Sequence, residues 1–260
     1  MKHIVMFSGG INSWAAARRV ADRYGTDHLT LLFADTKIED EDLYRFLEEA
    51  AVDVGGELVK IADGRTIWEV FHDERFLGNH RVDPCSKILK RELIDRWLAD
   101  NCDPTDTLVA MGFDWSEGHR MDRMRKRDTV WNRWAPLLER PYITREQTMD
   151  MLRQQGVRVP RLYELGFQHN NCGGGCVKAG QAAWAHLLKT LPDRYKSWED
   201  NEEEFRRFIG KDVGILTDRR GGTRKVMTLR QFRERVQQSE EYDTQDWGAC
   251  GCFQIPMEME

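Results

Sequence analysis

A short glycine loop near the amino terminus constrains the fold more than any other stretch of the sequence. Ser8-Gly9-Gly10 follows a short apolar run and precedes an alanine-rich segment of helical spacing, 15–21. Strand, glycine turn and helix together can bind phosphate, because glycines let the main chain approach an anion and the helix directs unbonded N–H groups towards it. Ser8 and Ser13 add hydroxyl donors. An ordinary strand-to-helix turn uses the same residue types, so both interpretations stay open at this point.

The composition is that of a soluble globular protein, and it restricts the function classes. The 260 residues are 40% hydrophobic and 32% charged, with a net charge of −5. This length suits one large α/β domain, or a domain with a sizeable appendage. We find no apolar run of membrane-spanning length and no signal-peptide pattern, so we expect a cytoplasmic protein without a membrane partner. The basic run 120–127 is either a solvated face or a contact for a polyanion.

The alternation of strand-like and helical segments in the first half of the chain predicts a doubly wound parallel α/β sheet. Apolar runs at 28–34, 57–61 and 107–111 read as buried strands, separated by helical segments such as 39–54. Asp35 closes the second strand, where an acidic side chain can contact a nucleotide or cap the next helix. From Gly156 onward, strand-like and helical segments no longer alternate in this way. We therefore predict a nucleotide-binding domain over 1–155 and a mainly helical, cysteine-bearing region over 156–260.

The cysteines indicate a metal, cluster or redox site, since a cytoplasmic chain of this size rarely uses disulfides. Cys172 and Cys176 flank three glycines, which let both sulfurs converge. Two sulfurs do not complete a site, and the natural further ligands are Cys85 and one member of the Cys250-Gly-Cys252 pair. Four thiolates suit a [4Fe–4S] cluster or Zn²⁺, and a redox dithiol without a cluster is the third possibility. Cys102, the sixth cysteine, lies outside this set.

The loop also carries a family resemblance. Ser-Gly-Gly-x-x-Ser over 8–13 resembles the PP-loop of the ATP pyrophosphatase superfamily, which includes phosphoadenosine phosphosulfate (PAPS) reductases and ATP-dependent sulfurtransferases. The resemblance implies the five-stranded adenine nucleotide alpha hydrolase-like fold. Asn12 stands where the family usually has Asp. After the fourth strand, Gly112 and Glu117 fit the family's Gly-x-Arg-x-x-Glu-Ser-x-x-Arg pattern, and Arg120 lies one residue before the position of its last Arg. Asp114 replaces its first Arg.

Further stretches resemble the reductase-like branch. The segment 85–90 is similar to the Cys-x-x-x-Leu-Lys helix start of PAPS reductases, and 163–181 resembles PAPS-reductase-like proteins of phages and bacteria. Those reductases end in a Glu-Cys-Gly-Leu/Ile-His tail whose cysteine attacks the sulfonate. Cys250 is the nearest match, but the flanking Glu and His are missing. Either Cys250 or Cys252 therefore suits the nucleophile, and the other a ligand.

The resemblance implies an ATP-dependent sulfurtransferase that adenylates an acceptor, releases pyrophosphate and then inserts sulfur. The acceptor would be a nucleic acid, and a cysteine desulfurase or another donor would supply the sulfur. A PAPS or adenylyl sulfate reductase and a non-catalytic nucleotide- or cluster-binding module are the alternatives, and a homo-oligomer is compatible with each. The implied cofactors are ATP, Mg²⁺ and a [4Fe–4S] cluster, with Zn²⁺ as the alternative. The predicted site residues are Cys250, Lys87 and Arg120 for catalysis, Ser8, Gly9, Gly10, Asn12, Ser13, Phe33, Asp35 and Gly112 for the nucleotide, and Cys85, Cys172, Cys176 and Cys252 for the metal.

Overall fold

A computed structural model describes residues 1–79, 81–127 and 129–248. The chain divides into two compact units. The first unit comprises 1–35, 39–62 and 92–170, and the second comprises 36–38, 63–91 and the chain from Asn171 onwards. The sequence predicted one boundary near 155, whereas these units part after Asn170. The segment 63–91 also groups with the second unit, a long-range association that sequence order does not reveal.

The first unit contains a five-stranded sheet in the order β3-β2-β1-β4-β5, and every neighbouring pair is parallel. This confirms the predicted fold class. The central strands are almost continuously apolar, as expected for strands covered on both faces. All four residues of β4 are buried, for example. The strands are β1 (Lys2–Met6), β2 (Leu29–Asp35), β3 (Glu57–Ala62), β4 (Thr107–Ala110) and β5 (Asn132–Trp134).

Helices account for most of the remaining described chain. In chain order they are α1 (Ile11–Tyr24), α2 (Glu41–Val54), α3 (Ile67–Glu74), α4 (Pro84–Ser86), α5 (Leu93–Asn101), α6 (Gly118–Arg127), α7 (Arg145–Gln154), α8 (Arg161–Glu164), α9 (Gln181–Thr190), α10 (Pro192–Ile209) and α11 (Leu229–Gln237). A π-helical stretch, Lys87–Glu92, continues α4 into α5. None of the described helices is long and apolar enough to cross a bilayer.

The core of the first unit forms where α1 and α2 cover the sheet. Trp14 of α1 is fully buried there, and its indole N–H donates to Asp53 Oδ2 at 2.7 Å, so its one polar group is satisfied. Phe33 of β2 and Phe46 of α2 lie in the same hydrophobic cluster. The alanines at 15–17 of α1 are buried, and their small side chains let the helix approach the strands closely.

The second unit is mainly helical, as predicted. Trp184 of α9 stands against Trp198 and Tyr195 of α10, with ring centroids 5.2 and 5.8 Å apart. The unit also contains a small antiparallel pair, β6 (Leu216–Asp218) and β7 (Lys225–Met227), which the sequence did not predict. Its strands have three residues each, too short to show an alternating pattern.

Candidate functional site

The predicted phosphate loop has a backbone that only glycine accepts easily. Gly9 has φ +76°, and a Cβ at this position would lie 2.7 Å from Leu43 Cγ. Gly10 has an extended conformation and occupies the N-cap position of α1, without a capping side chain. The loop therefore brings main-chain atoms, rather than side chains, to the positive end of the helix dipole. This is the geometry that the sequence predicted.

The two loop serines have different environments. Ser13 is 3% exposed, and its hydroxyl donates to Gly10 O at 2.7 Å, so it braces the first turn of α1. Ser8 is half-buried and is the serine with the more accessible side chain. The sequence assigned a phosphate contact to both hydroxyls. The structure places Ser13 in a bond with the main chain of the loop itself.

Two residues far along the chain contact this loop, and a third packs against one of them; the sequence assigned none of the three a role. Ile11 N donates to the Tyr163 hydroxyl at 3.4 Å, and the guanidinium of Arg145 lies 4.8 Å from the centre of the Tyr163 ring. The side-chain amide of Asn170 donates to Gly9 O at 2.7 Å. Tyrosine and arginine beside a helix N-terminus suit an anionic ligand. No spacing rule could have found them, because they follow the loop by more than 130 residues.

The two positions that depart from the family pattern are in contact. Asn12 Nδ2 donates to Asp114 Oδ2 at 3.3 Å, while Asp114 Oδ1 accepts from Ser116 N at 2.8 Å and caps the turn Trp115–Glu117.

Gly112 lies just before this segment. A Cβ there would be 2.9 Å from Ser13 Cα, so Gly112 allows the end of β4 to approach the start of α1. The structure thus shows close backbone packing at Gly112, and its role in nucleotide binding stays a prediction.

The predicted adenine contacts lie at the end of β2. The side chain of Phe33 is 1% exposed and belongs to the core, so any contact with a nucleotide would come from its main chain. Asp35 accepts a hydrogen bond from the Tyr44 hydroxyl at 2.8 Å. The alternative prediction that Asp35 caps the next helix is wrong. Asp40 is the N-cap of α2, because that helix begins further along the chain, at Glu41.

Arg120 was predicted to act on a polyanionic substrate. Its guanidinium pairs with Glu117, three residues earlier, and lies 4.5 Å from the centre of the Phe113 ring. Only 13% of its side chain is exposed. The carboxylate offsets the charge, so Arg120 meets a substrate only if this pair opens. Its catalytic role stays a prediction.

In the second unit, three of the predicted metal ligands line one small cavity. Cys85, Cys172 and Cys176 border this cavity, which we call the thiol cavity, together with Asp83, Lys90 and Lys178. Cys172 has φ +52°, and the next two residues, both glycines, also have positive φ. A non-glycine residue in this region is strained by roughly 1–3 kcal/mol, which is common at functional sites.

The thiol cavity contains buried charge. Lys90 and Lys178 are 6% and 7% exposed, and Lys178 Nζ lies 3.9 Å from Asp83 Oδ1. The Lys178 amide donates to Cys176 Sγ at 3.5 Å. Burying an ammonium is costly unless negative charge offsets it, and metal-bound thiolates supply such charge. The three thiols, the N–H···S bond and the two lysines therefore fit an anionic, thiolate-held group.

Lys87 and Lys90 are three residues apart in the chain but have different environments. Lys87 is exposed and Lys90 is buried. Both lie in the π-helical stretch, where more residues make each turn, so side chains three apart fall on different sides. Of the two, Lys90 borders the thiol cavity.

The remaining cysteines lie outside the thiol cavity or outside the described residues. The described residues contain no group of three or more His, Cys, Asp or Glu side chains placed to hold a single metal ion. Cys102 belongs to the first unit, and burial raises the pKa of its thiol. The four cysteines of the described chain form no disulfide. Cys250 and Cys252 lie outside the described residues, so their assignments as nucleophile and ligand stay predictions.

With this geometry established, the chain can be compared with known proteins. No family model matches it. Three argininosuccinate synthases from strains of Dehalococcoides mccartyi are each 25% identical over 218 residues, which cover 74% of this chain and 52% of the relative. The chain thus spans about half the length of the curated relatives it matches.

Two solved structures are similar to the chain. One is a PAPS reductase from Candida auris in complex with phosphate, with TM-score 0.45 and 13% identity over 65% of this chain and 80% of that chain. The other is the U34-tRNA thiolase NcsA from Methanococcus maripaludis with its [4Fe–4S] cluster, with TM-score 0.45 and 14% identity over 81% of this chain and 73% of that one. Both likenesses are distant. The resemblance to the PP-loop superfamily that the sequence predicted is confirmed.

Proposed function

We propose that this chain is a PP-loop enzyme that binds ATP on the loop Ser8–Ser13 and transfers its adenylyl group to an acceptor, releasing pyrophosphate. The observation that supports this most strongly is the start of α1. A positive-φ glycine and an N-cap without a side chain leave main-chain N–H groups at the positive end of a helix dipole. Such a site stabilises negative charge on a phosphate as it develops.

The residues around the loop have distinct roles in this proposal. Gly10 and Ile11 would contribute main-chain N–H groups to the phosphates, and the Tyr163 hydroxyl would turn from accepting the Ile11 bond to donating to a phosphate oxygen. Arg145, whose guanidinium packs against the ring of Tyr163, would add positive charge near the phosphates. Asn12 and Asp114 would supply oxygen ligands for Mg²⁺ bound with the triphosphate, since Mg²⁺ prefers such ligands. The end of β2, including Asp35, would hold the adenosine.

We further propose that the activated acceptor receives sulfur. An adenylated oxygen is a good leaving group, and sulfur is a nucleophile that displaces it with release of AMP. The thiol cavity supports this choice, because Cys85, Cys172 and Cys176 line one space beside buried lysines. With Cys252 as the fourth ligand, these cysteines would hold a [4Fe–4S] cluster through their thiolates. The N–H···S bond from Lys178 would stabilise the negative charge on the sulfur of Cys176. When bound, the cluster would supply iron that can hold a sulfur atom.

The acceptor in this proposal is a nucleic acid, and a cysteine desulfurase or another donor supplies the sulfur. Support for a polyanion comes from α6, whose buried side carries Met121 and Met124 while Arg123, Arg125 and Lys126 are exposed. An exposed basic face of this kind attracts phosphates at long range.

The proposal is tested by product analysis with purified protein. The protein is incubated anaerobically with ATP, Mg²⁺, sulfide and bulk tRNA or DNA, and pyrophosphate and sulfur in the nucleic acid are measured. We expect acceptor-dependent pyrophosphate release that is strongly reduced in a Ser8→Ala, Gly9→Ala variant. Release of sulfite from PAPS, without pyrophosphate from ATP, would instead identify a reductase. Nucleotide binding without either product would identify a non-catalytic module.

A further inference from the structure

We infer that Asn170 is a positioning residue of the phosphate loop, an inference that rests on the proposed function. Asn170 is 1% exposed, and its Nδ2 donates to Gly9 O at 2.7 Å. A carbonyl oxygen only accepts hydrogen bonds, so this contact fixes which end of the amide faces the loop. The two residues are 161 positions apart, and both lie in the first unit. The bond is therefore a long-range constraint on one particular peptide group.

The orientation of that peptide group decides whether the loop presents a positive N–H or a negative C=O to a ligand. In a planar trans peptide, the C=O of Gly9 and the N–H of Gly10 point in opposite directions. Asn170 holds the carbonyl, so it directs the Gly10 N–H to the other side of the peptide. Gly9 alone would not fix this orientation, because glycine adopts several backbone conformations at little cost. Rotation of the peptide would place a carbonyl oxygen where a phosphate oxygen should bind.

The other end of the same amide also suits a ligand. Asn170 Oδ1 is buried and has no hydrogen-bond partner among the described residues. A buried acceptor without a partner destabilises a protein by roughly 1–3 kcal/mol, so native structures usually keep one for a reason. An amide oxygen accepts, which restricts the partner to a donor. We assign it to a hydroxyl of the acceptor, rather than to a phosphate oxygen.

The test compares phosphate and nucleoside binding in matched variants. Asn170→Asp keeps the shape but places a carboxylate against Gly9 O, and Asn170→Ala removes the bond. Asn101→Asp is the control, because the Asn101 amide donates to Trp97 O at 2.8 Å in an exposed position. Calorimetry with pyrophosphate, ATP and adenosine measures the effect. We expect both Asn170 variants to bind pyrophosphate and ATP roughly tenfold or more weakly. We expect unchanged adenosine binding, and an unchanged control.

A measurement on the wild-type protein covers the case in which the variants do not fold. In ¹⁵N-labelled protein, the Gly10 amide resonance should shift when pyrophosphate is added. An unperturbed Gly10 resonance at saturation, or wild-type pyrophosphate affinity in folded Asn170→Ala, would overturn the inference alone. Wild-type protein that binds neither ATP nor pyrophosphate would overturn the proposed function, and this inference with it.

Discussion

The Asn12 amide donates to the Asp114 carboxylate at 3.3 Å, which joins the phosphate loop to the segment after β4. Each residue departs from the pattern of the superfamily that the sequence resembles, which has Asp at the first position and Arg at the second. The two departures are therefore complementary. In the superfamily pattern the carboxylate stands at the first position, whereas in this chain it stands at the second. The pair can therefore still form a hydrogen bond. Considered separately, each substitution looks like the loss of a ligand contact.

This pairing predicts the effect of restoring the family residue. Asn12→Asp alone would place two carboxylates together, so we expect the free energy of unfolding to fall by about 1 kcal/mol and ATP to bind more weakly. Adding Asp114→Arg should recover the free energy of unfolding, because the pair becomes attractive again. ATP binding should stay weak, because this change removes a proposed Mg²⁺ ligand. Chemical denaturation and calorimetry measure both effects. An Asn12→Asp variant with wild-type stability and affinity would show that the contact has no energetic role.

The thiol cavity predicts selective effects of cysteine replacement. After anaerobic reconstitution with ferrous iron and sulfide, Cys85→Ser, Cys172→Ser and Cys176→Ser should each bind less iron than the wild-type protein. Cys102→Ser is the matched control, since Cys102 belongs to the first unit and should leave iron binding unchanged. Iron and sulfide analysis with visible absorption spectra gives the result. Equal iron content in all four variants would exclude these thiols as ligands.

A buried carboxyl group in the second unit predicts a pH-dependent stability. Glu202 is fully buried, and its two oxygens accept from Ile215 N at 2.7 Å and Leu229 N at 2.6 Å. Burial raises the pKa of Glu202 to about 7, although the two N–H bonds oppose this. The folded protein thus holds this proton more tightly than the unfolded chain. The contribution is fully present below the ordinary pKa of 4.5 and is lost as the pH rises through 7.

The measurement is the free energy of unfolding between about pH 4.5 and 8, the range in which this group titrates. Glu202→Gln should be destabilised by roughly 1–3 kcal/mol at acidic pH, because its amide nitrogen cannot accept from a main-chain N–H. It should also lose the part of the pH dependence that Glu202 causes. Glu204→Gln, an exposed change on the same helix, should behave like wild type. Parallel pH profiles for wild type and Glu202→Gln would contradict the raised pKa.

The exposed face of α6 predicts the salt dependence of nucleic-acid binding. Charge reversal of Arg123, Arg125 and Lys126 should weaken binding of a labelled tRNA. The slope of log affinity against log salt should also fall by about one for each phosphate that these side chains no longer neutralise. Arg153→Glu on α7, also exposed, should have little effect. Fluorescence anisotropy across a salt series tests this, and an unchanged slope in the triple variant would remove α6 from the interface.

The sheet could be predicted from the sequence because its determinants are local. Buried parallel strands are apolar runs between helical segments, and the two glycines of the loop indicate its backbone conformation directly. The thiol cavity was also predictable in part, since cysteines flanking glycines have few other uses. Each of these features lies within a short window of the chain.

The remaining features depend on contacts that no local pattern encodes. Tyr163 and Asn170 reach the loop only through the tertiary fold, and both were overlooked as members of the site. Ser13 has the expected residue type, but its hydroxyl bonds to Gly10 O. Lys90 is buried in a π-helical stretch, a helix type that its residue types do not indicate.

The most direct test of the central claim is the fate of the α-phosphate of ATP. Wild-type protein is incubated with α-³²P-labelled ATP, Mg²⁺ and nucleic acid, and the labelled products are separated. We predict labelled AMP, with an adenylated acceptor before sulfur is added, and no labelled ADP. Labelled ADP as the product, or intact ATP with every acceptor while the protein binds no nucleotide, would contradict the proposed adenylyl transfer.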